Sequence, residues 1–210
     1  SGAIAEGVLR LGWEKRPSHV HQLQAAAAVG QMGLVEAYER HFRNHGIGTA
    51  QVLLTHQNLT DREQYLNARM TIRELLRLSI VPVINENDTI ATAEIKVGDN
   101  DTLGAIVACS VEADLLVLLS DIEGLYTADP RKDPAARLIP TVEEVTPEIE
   151  SLADGKGSEL AVGGMGTKLR AAKMVTQRGC DMVITNGARP ENLYDIVDGR
   201  AVGTRFLGKI

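Results

Sequence analysis

Strand-like and helix-like patterns alternate along the whole chain, and this alternation constrains the fold more than any other feature of the sequence. Alternating strands and helices favour a mainly parallel β-sheet with helices on its faces, which is the α/β class. The clearest buried strands are the apolar runs at residues 81–84 and 115–119. The sequence shows no internal repeat, low-complexity tract or long linker, so it predicts one domain over residues 1–210.

The periodicities predict helices, strands and one hairpin whose boundaries are uncertain by a few residues. In chain order they are helices near 3–11 and 20–44, a strand at 51–55, a helix at 61–78, a strand at 81–86, a hairpin within 89–97, a helix at 102–111, a strand at 115–120, a short helix at 147–153, a helix from 165, a strand at 182–185, a helix at 190–197 and a strand at 203–207.

Polar residues follow one of the buried strands and return in the next loop. The segments Val81–Asp88 and Ile95–Asp101 together contribute three aspartates and three asparagines. Polar side chains at the carboxyl end of a buried strand face the crevice in which open α/β sheets bind ligands. Acidic groups there suit a ligand ammonium group or a metal that accompanies phosphates. The alternative is a well-capped turn, in which Asp99 caps the next helix.

A glycine-rich segment, Val162–Lys168, runs directly into a helical pattern. Glycines let the backbone approach a phosphate, and the first turn of a helix offers backbone N–H groups and a favourable dipole. Lys168 lies in that first turn and could reach the same phosphate. The spacing is not that of a P-loop, and a plain tight turn is the alternative. Together with the acidic cluster, the segment predicts a nucleotide site.

Several strings resemble the amino acid kinase family from the first residue to about Leu207. They are Ser1–Ala5, Asn85–Asp88, Ile95–Asp101, Ser120–Pro130 and Gly163–Lys168. The second and third of these strings resemble the glutamate-phosphorylating branch. The resemblance implies a three-layer α/β/α sandwich with a mainly parallel central sheet. It also leads us to expect that residues 1–210 lack the first βαβ unit, which carries a second phosphate-binding lysine, and lack a C-terminal RNA-binding-like domain.

The resemblance implies phosphorylation of the γ-carboxylate of L-glutamate by ATP with Mg²⁺, giving γ-glutamyl phosphate, the first step of proline biosynthesis. Lys168 would stabilise the transferring charge, and Asp99 would organise the lysines or a Mg²⁺ shell. No protein residue is assigned as a metal ligand. The residues expected to bind glutamate are Ser1, Asp88, Asn100 and Asp101. Those expected to bind the nucleotide are Ser120, Asp121, Val162, Gly163, Gly164, Met165, Gly166, Thr167 and Lys168, although Asp121 could equally be a cap.

Composition excludes some classes of function. A net charge of −6 argues against nonspecific nucleic-acid binding. Cys109 and Cys180 lack any metal-binding spacing, which favours buried reduced thiols and the cytosol. The sequence has no apolar run of membrane-spanning length and no signal peptide, so it predicts a cytoplasmic protein without a membrane partner.

Some expectations about partners and alternative functions stay open. The Ala-rich stretch Gln22–Arg43 could form a dimer interface or pack inside its own domain. By resemblance, we expect a homodimer or homotetramer and feedback inhibition by proline. Three alternatives to a glutamate kinase remain: another amino acid kinase, a glutamate- or proline-binding regulatory module without turnover, and an interaction domain of an enzyme that couples the kinase to a reductase.

Overall fold

The computed structural model describes residues 2–91, 99–153 and 164–209, apart from the side chain of His56. These residues belong to two compact units, Ser1–Asn100 and Asp101–Ile210, and each is described by itself. Among the described residues, no helix is both long enough and apolar enough to cross a membrane.

The first unit contains a two-stranded parallel sheet, in which Gly48 pairs with Ile80 and Leu54 with Glu86. Its elements are α1 (Ala3–Arg10), α2 (Val20–Arg43), β1 (Gly48–Leu54), α3 (His56–Thr60), α4 (Arg62–Arg77) and β2 (Ile80–Glu86). Asp61 accepts a hydrogen bond from the Gln64 N–H and so caps α4, which confirms the helix start predicted at residue 61.

Helices α1 and α2 pack with their backbones in direct contact. A Cβ atom added to Gly7 would lie 1.8 Å from the Ala26 carbonyl oxygen, and one added to Gly30 would lie 1.9 Å from the Ala3 carbonyl oxygen. Only glycine fits at such distances. Ala26 and Ala27 are buried beside this contact. The small-residue face of α2 is therefore used inside the first unit, and a dimer interface on this helix stays a prediction.

The remaining elements in the described part of the chain are α5 (Asn100–Val111), β3 (Leu115–Ser120), β4 (Thr141–Val142), α6 (Pro147–Ser151), α7 (Met165–Thr176), β5 (Asp181–Asn186), α8 (Asn192–Val197) and β6 (Thr204–Phe206). The four strands form the sheet of the second unit in the order β3-β5-β6-β4. The β3–β5 and β4–β6 pairs are parallel, and β5–β6 is antiparallel.

The core of the second unit forms between α5, α7 and the sheet. β5 is buried on both faces, as expected of a strand covered on two sides. Several large apolar side chains in this core are almost fully shielded from water: Leu125, Val175, Met182, Ile184 and Phe206. Burial of this kind is the main favourable term in the stability of the unit.

The structure confirms the mainly parallel strand pairing and the long elements predicted from the sequence. The described strands form two sheets, one in each unit, where the sequence predicted one central sheet. The sequence analysis missed α3, which has five residues, and β4, whose two residues are too few to show a period. The hairpin predicted within 89–97 lies mostly outside the described residues. Both cysteines are unpaired, and Cys180 is buried as predicted, but Cys109 is only partly buried.

Candidate active site

The second unit holds a lysine and an aspartate against each other at the start of α7. Lys168 Nζ lies 2.9 Å from Asp101 Oδ2, and Thr167 Oγ1 lies 2.8 Å from the same oxygen. Lys168 is buried, and Asp101 lies in the first turn of α5. Moving two charges out of water costs free energy that their attraction only partly offsets. A buried ion pair of this kind is therefore weak evidence for a stabilising role.

The first turn of α7, where the sequence predicts a phosphate site, is formed by Gly164, Gly166 and Thr167. Gly164 precedes the helix in an extended conformation and has no side chain that could cap it. Thr167 closes the turn instead, because its Oγ1 lies 2.7 Å from the Gly164 carbonyl oxygen and its N–H donates to that oxygen at 3.1 Å. A Cβ atom added to Gly166 would meet no described atom within 4 Å beyond its chain neighbours and the backbone of its own helix. Among the described residues, the turn thus combines space beside Gly166 with the positive end of a helix dipole.

A second polar group lies where β3 and β5 end. These strands are parallel, and Ser120 pairs with Asn186 at the last position of the register. Ser120 Oγ donates a hydrogen bond to Asp121 Oδ1 at 3.1 Å, so two of the nine residues predicted to bind the nucleotide form one hydrogen-bonded pair. The Gly187 N–H donates to the Ser120 carbonyl oxygen at 2.7 Å, which adds one backbone hydrogen bond at the ends of β3 and β5.

Glu123, which the sequence analysis did not single out, accepts hydrogen bonds from two further polar side chains near the end of β5. Its carboxylate accepts hydrogen bonds from Asn186 Nδ2 at 2.9 Å and from Arg189 Nη2 at 2.8 Å. The bond from Asn186, followed by that from Arg189, holds the pKa of the Glu123 carboxyl below its usual range. Asn186 directly follows the strand predicted at 182–185, so the rule that polar residues at the end of a strand face a ligand would have found it.

Three amide side chains form a chain of hydrogen bonds within the first unit. Asn100 Nδ2 donates to Asn85 Oδ1 at 3.2 Å, and Asn85 Nδ2 donates to Gln31 Oε1 at 3.0 Å. Asn85 is the last residue but one of β2, the strand that the sequence analysis emphasised, whereas Gln31 lies on α2. Gln31 and Asn85 are both buried. We call Gln31, Asn85 and Asn100 the amide relay.

The other predicted site residues lie near the relay in the chain or outside the described residues. Asp88 is partly buried in the turn that follows β2, and Asp99 directly precedes α5. Ser1, Val162 and Gly163 fall outside the described residues. Among the predicted site residues, the structure thus brings Asp101 together with Thr167 and Lys168, and Ser120 together with Asp121.

Sequence reasoning missed Gln31, although the sequence contains a signal for it. Gln31 follows Ala26, Ala27 and Gly30, small residues that share the buried face of α2. A polar side chain inside an otherwise apolar helix stripe is the informative exception, because it requires a buried partner. The partner, Asn85, could not be deduced, since only the tertiary fold brings the two residues together.

No group of three or more His, Cys, Asp or Glu side chains suited to a metal ion occurs in the described ranges 2–91, 99–153 and 164–209.

Comparison with known proteins identifies the family. The model of the amino acid kinase family matches residues 1–186. Over 209 residues, the chain is 57% identical to a glutamate 5-kinase of Burkholderia multivorans and 58% identical to one of Methylibium petroleiphilum. Each alignment covers all of this chain and 56% of the relative, so the chain spans about half the length of these curated relatives.

Solved structures of similar fold come from kinases with different substrates. Carbamate kinase from Giardia lamblia bound to AMP-PNP matches with a TM-score of 0.64 and 20% identity, over 99% of this chain and 79% of that one. Isopentenyl phosphate kinase from T. acidophilum matches with a TM-score of 0.62 and 17% identity, over 95% and 77% of the two chains. At these identities the likeness concerns the fold alone. The family match over residues 1–186, which is most of the chain, shows that the chain belongs to the amino acid kinase family.

Proposed function

We propose that the protein transfers the γ-phosphoryl group of ATP to the side-chain carboxylate of L-glutamate, the first step of proline biosynthesis. A γ-carboxylate oxygen attacks the γ-phosphorus, the bond from that phosphorus to the β,γ-bridging oxygen breaks, and ADP leaves. The products are γ-glutamyl phosphate and ADP. Similarity to proteins named glutamate 5-kinase over all of this chain supports this choice of substrate.

The observation that carries the proposal is the buried Lys168–Asp101 pair at the start of α7. The reacting carboxylate and the phosphate are both anionic, so a fixed cation that offsets their repulsion lowers the barrier. Lys168 supplies that cation. Lys168 Nζ donates to Asp101 Oδ2, an oxygen that Thr167 Oγ1 also contacts, and this bond fixes the ammonium group beside the first turn of α7.

We assign the remaining nucleotide contacts to the second unit. Val162–Lys168 surrounds the phosphates, with Gly166 giving the closest approach, while Ser120 and Asp121 bind the nucleotide at the end of β3. The open space over Gly166 and the Ser120–Asp121 hydrogen bond support this assignment.

We assign glutamate binding to Ser1, Asp88 and Asn100, with Asp101 supporting the ammonium group or the loop that holds it. Asn85 orients Asn100 through the hydrogen bond between their amides. No general base is required, because a carboxylate nucleophile is already ionised near neutral pH.

We propose that Mg²⁺ binds together with ATP. This ion commonly keeps several waters and binds substrate phosphates with one or two protein carboxylates, which requires no dedicated cage. Asp99, directly before α5, is the carboxylate that we assign to its shell. When bound, Mg²⁺ neutralises phosphate charge, while Lys168 and the first turn of α7 orient the phosphate.

Several finer features are also proposals. We propose a three-layer sandwich for the complete domain, a cytoplasmic location, a homodimer or homotetramer, and competition by proline with glutamate at Asn85–Asp101. Inhibition by proline that rising glutamate relieves, together with the mass of the protein in solution, tests the last two.

The test of the reaction is glutamate-dependent ADP release with Mg-ATP, measured on the natural full-length protein and its variants. We expect Lys168→Ala to lower kcat by about 100-fold or more, because it removes one preorganised charge donor. Lys173→Ala is the matched control. Lys173 lies on the same helix but pairs at the surface with Glu150, so its removal should leave kcat unchanged.

Different outcomes separate the competing functions. Turnover with glutamate but not with aspartate, lost in Lys168→Ala, supports a glutamate kinase. Turnover with another acceptor only would assign the chain to another branch of the family. Glutamate or proline binding by calorimetry without ADP release would favour a regulatory module.

A further inference from the structure

The amide relay connects Gln31 on helix α2 with Asn100, a residue assigned to substrate binding. Its Oε1 accepts a hydrogen bond from Asn85 Nδ2 at 3.0 Å, and Asn85 Oδ1 accepts one from Asn100 Nδ2 at 3.2 Å. Gln31 is 8% exposed and Asn85 is 5% exposed. A buried amide that loses its partner bears the full cost of desolvation, so these hydrogen bonds fix the orientation of the three amide groups.

A second glutamine of α2 contacts the far end of the same segment. Gln24 lies about two helical turns before Gln31, on the same side of the helix. Its Nε2 donates to the Ala91 carbonyl oxygen at 3.4 Å. α2 therefore contacts the segment Asn85–Ala91 at both ends, and Asp88 lies between these two contacts.

Helix α2 is a firm support for these contacts. Gly30, the neighbour of Gln31, packs against the Ala3 backbone so closely that no side chain fits between them. A helix held by backbone contact cannot shift without breaking that packing. The position of Gln31 is accordingly set by the α1–α2 pair and not by the loop whose residues it orients.

We propose that Gln31 is a positioning residue for the acidic amino acid substrate, acting through Asn85 on Asn100. The inference rests on the proposed function, because Asn100 is assigned there to glutamate binding. The direction of the relay determines what Asn100 offers. One of its two N–H donors is directed at Asn85, so its Oδ1 and its second N–H are the groups presented to other partners. Without the relay, the Asn100 amide could rotate and exchange donor for acceptor.

Two substitutions of similar shape distinguish positioning from packing. Gln31→Met keeps the length and removes the acceptor for Asn85 Nδ2. Gln31→Glu keeps an acceptor oxygen in either protonation state. Gln31→Glu should lower the stability of the fold more than Gln31→Met, because a buried carboxyl group is costlier to desolvate than a thioether. Gln22→Met, at an exposed position on the same helix, is the matched control.

The measurements are KM for glutamate, KM for ATP, kcat, calorimetric Kd for glutamate and Tm, all on the natural full-length protein. We expect Gln31→Met to raise KM and Kd for glutamate by about tenfold, with KM for ATP unchanged. Gln31→Glu should keep both glutamate constants within about threefold of the wild type although its Tm falls at least as far. Gln22→Met should change none of these quantities.

The inference is overturned if Gln31→Met binds glutamate like the wild type, or if both Gln31 variants lose glutamate affinity in proportion to their loss of Tm. An equal rise in KM for ATP would also overturn it. Failure of the proposed function looks different: a wild-type protein that binds glutamate without releasing ADP refutes the kinase but leaves the Kd comparison as a test of Gln31. A wild-type protein that does not bind glutamate refutes both.

Discussion

Lys168 Nζ lies 2.9 Å from Asp101 Oδ2, and the two side chains come from the first turns of α7 and α5. Only 8% of the Lys168 side chain and 17% of the Asp101 side chain are exposed. At this depth, each charge depends on the other for much of the solvation that it lost on folding. The contact therefore couples the position of the proposed catalytic cation to the start of another helix.

Removing only the aspartate should destabilise the protein strongly. Asp101→Ala leaves a buried ammonium group without this carboxylate, and we expect the free energy of unfolding to fall by about 3 kcal/mol. The double variant Asp101→Leu with Lys168→Met removes both charges and should recover most of that loss. Urea unfolding measures both effects.

A surface ion pair provides the control for this prediction. Glu144 pairs with Lys209 at 2.6 Å with both side chains at least half exposed. Glu144→Ala should change the free energy of unfolding by less than about 0.5 kcal/mol. If Asp101→Ala costs as little as Glu144→Ala, the Lys168–Asp101 pair is not a buried, mutually dependent pair.

Gly166→Ala should impair nucleotide binding without harming the fold. The added methyl group meets no described atom of the protein within 4 Å, and Ala favours a helix over Gly by up to about 1 kcal/mol. Tm should hold or rise slightly, whereas KM for ATP should rise about tenfold because the methyl group fills the space assigned to phosphate.

The control for Gly166 is Gly104→Ala on α5, where the added Cβ atom would make an ordinary contact with Leu116 Cδ1 at 3.7 Å. It should change Tm in the same direction and leave KM for ATP unaltered. A Gly166→Ala protein with normal KM for ATP would remove the first turn of α7 from the phosphate site.

Long elements could be predicted from the sequence because their own residues show the pattern. α2 has 24 residues, and β3 is a continuous apolar run that ends at Ser120. β4 has two residues and exists because Thr141 and Val142 pair with β6, a partner more than 60 positions away. No period within two residues can reveal such a pairing.

The candidate site could also be predicted only in part. Residue types that suit a ligand, such as Ser120 at the end of a strand or Gly166 at the start of a helix, are visible in the sequence. Contacts between residues that are distant in the chain are not visible there. Asp101 was assigned to glutamate from a resemblance, and its contacts with Lys168 and Thr167 became apparent only in the structure. Those contacts span 66 and 67 positions and are set by tertiary packing.

The α1–α2 contact predicts that alanine substitutions at two glycines of α2 destabilise the protein by very different amounts. Gly30→Ala would place Cβ 1.9 Å from the Ala3 carbonyl oxygen, a backbone atom that cannot move alone. We expect a loss of about 3 kcal/mol in the free energy of unfolding. Gly33→Ala would meet the Arg10 guanidinium group at 2.4 Å, and this flexible side chain can turn away. Its cost should stay below about 1 kcal/mol, and equal costs would contradict the backbone contact.

Burial of the Cys180 thiol predicts a loss of stability at alkaline pH. Burial, aided by the nearby Cys109, raises the pKa of Cys180 from 9.0 to about 11, so the folded protein holds this proton more tightly than the unfolded chain. The resulting stabilisation is fully present below pH 9 and is lost as the pH rises through 11. Urea unfolding of the wild type and Cys180→Ala should therefore give a difference in free energy that shrinks from about pH 8 to about pH 10.5, while the titration of other groups cancels between the two proteins. A difference independent of pH would show that Cys180 titrates alike in the folded and unfolded states.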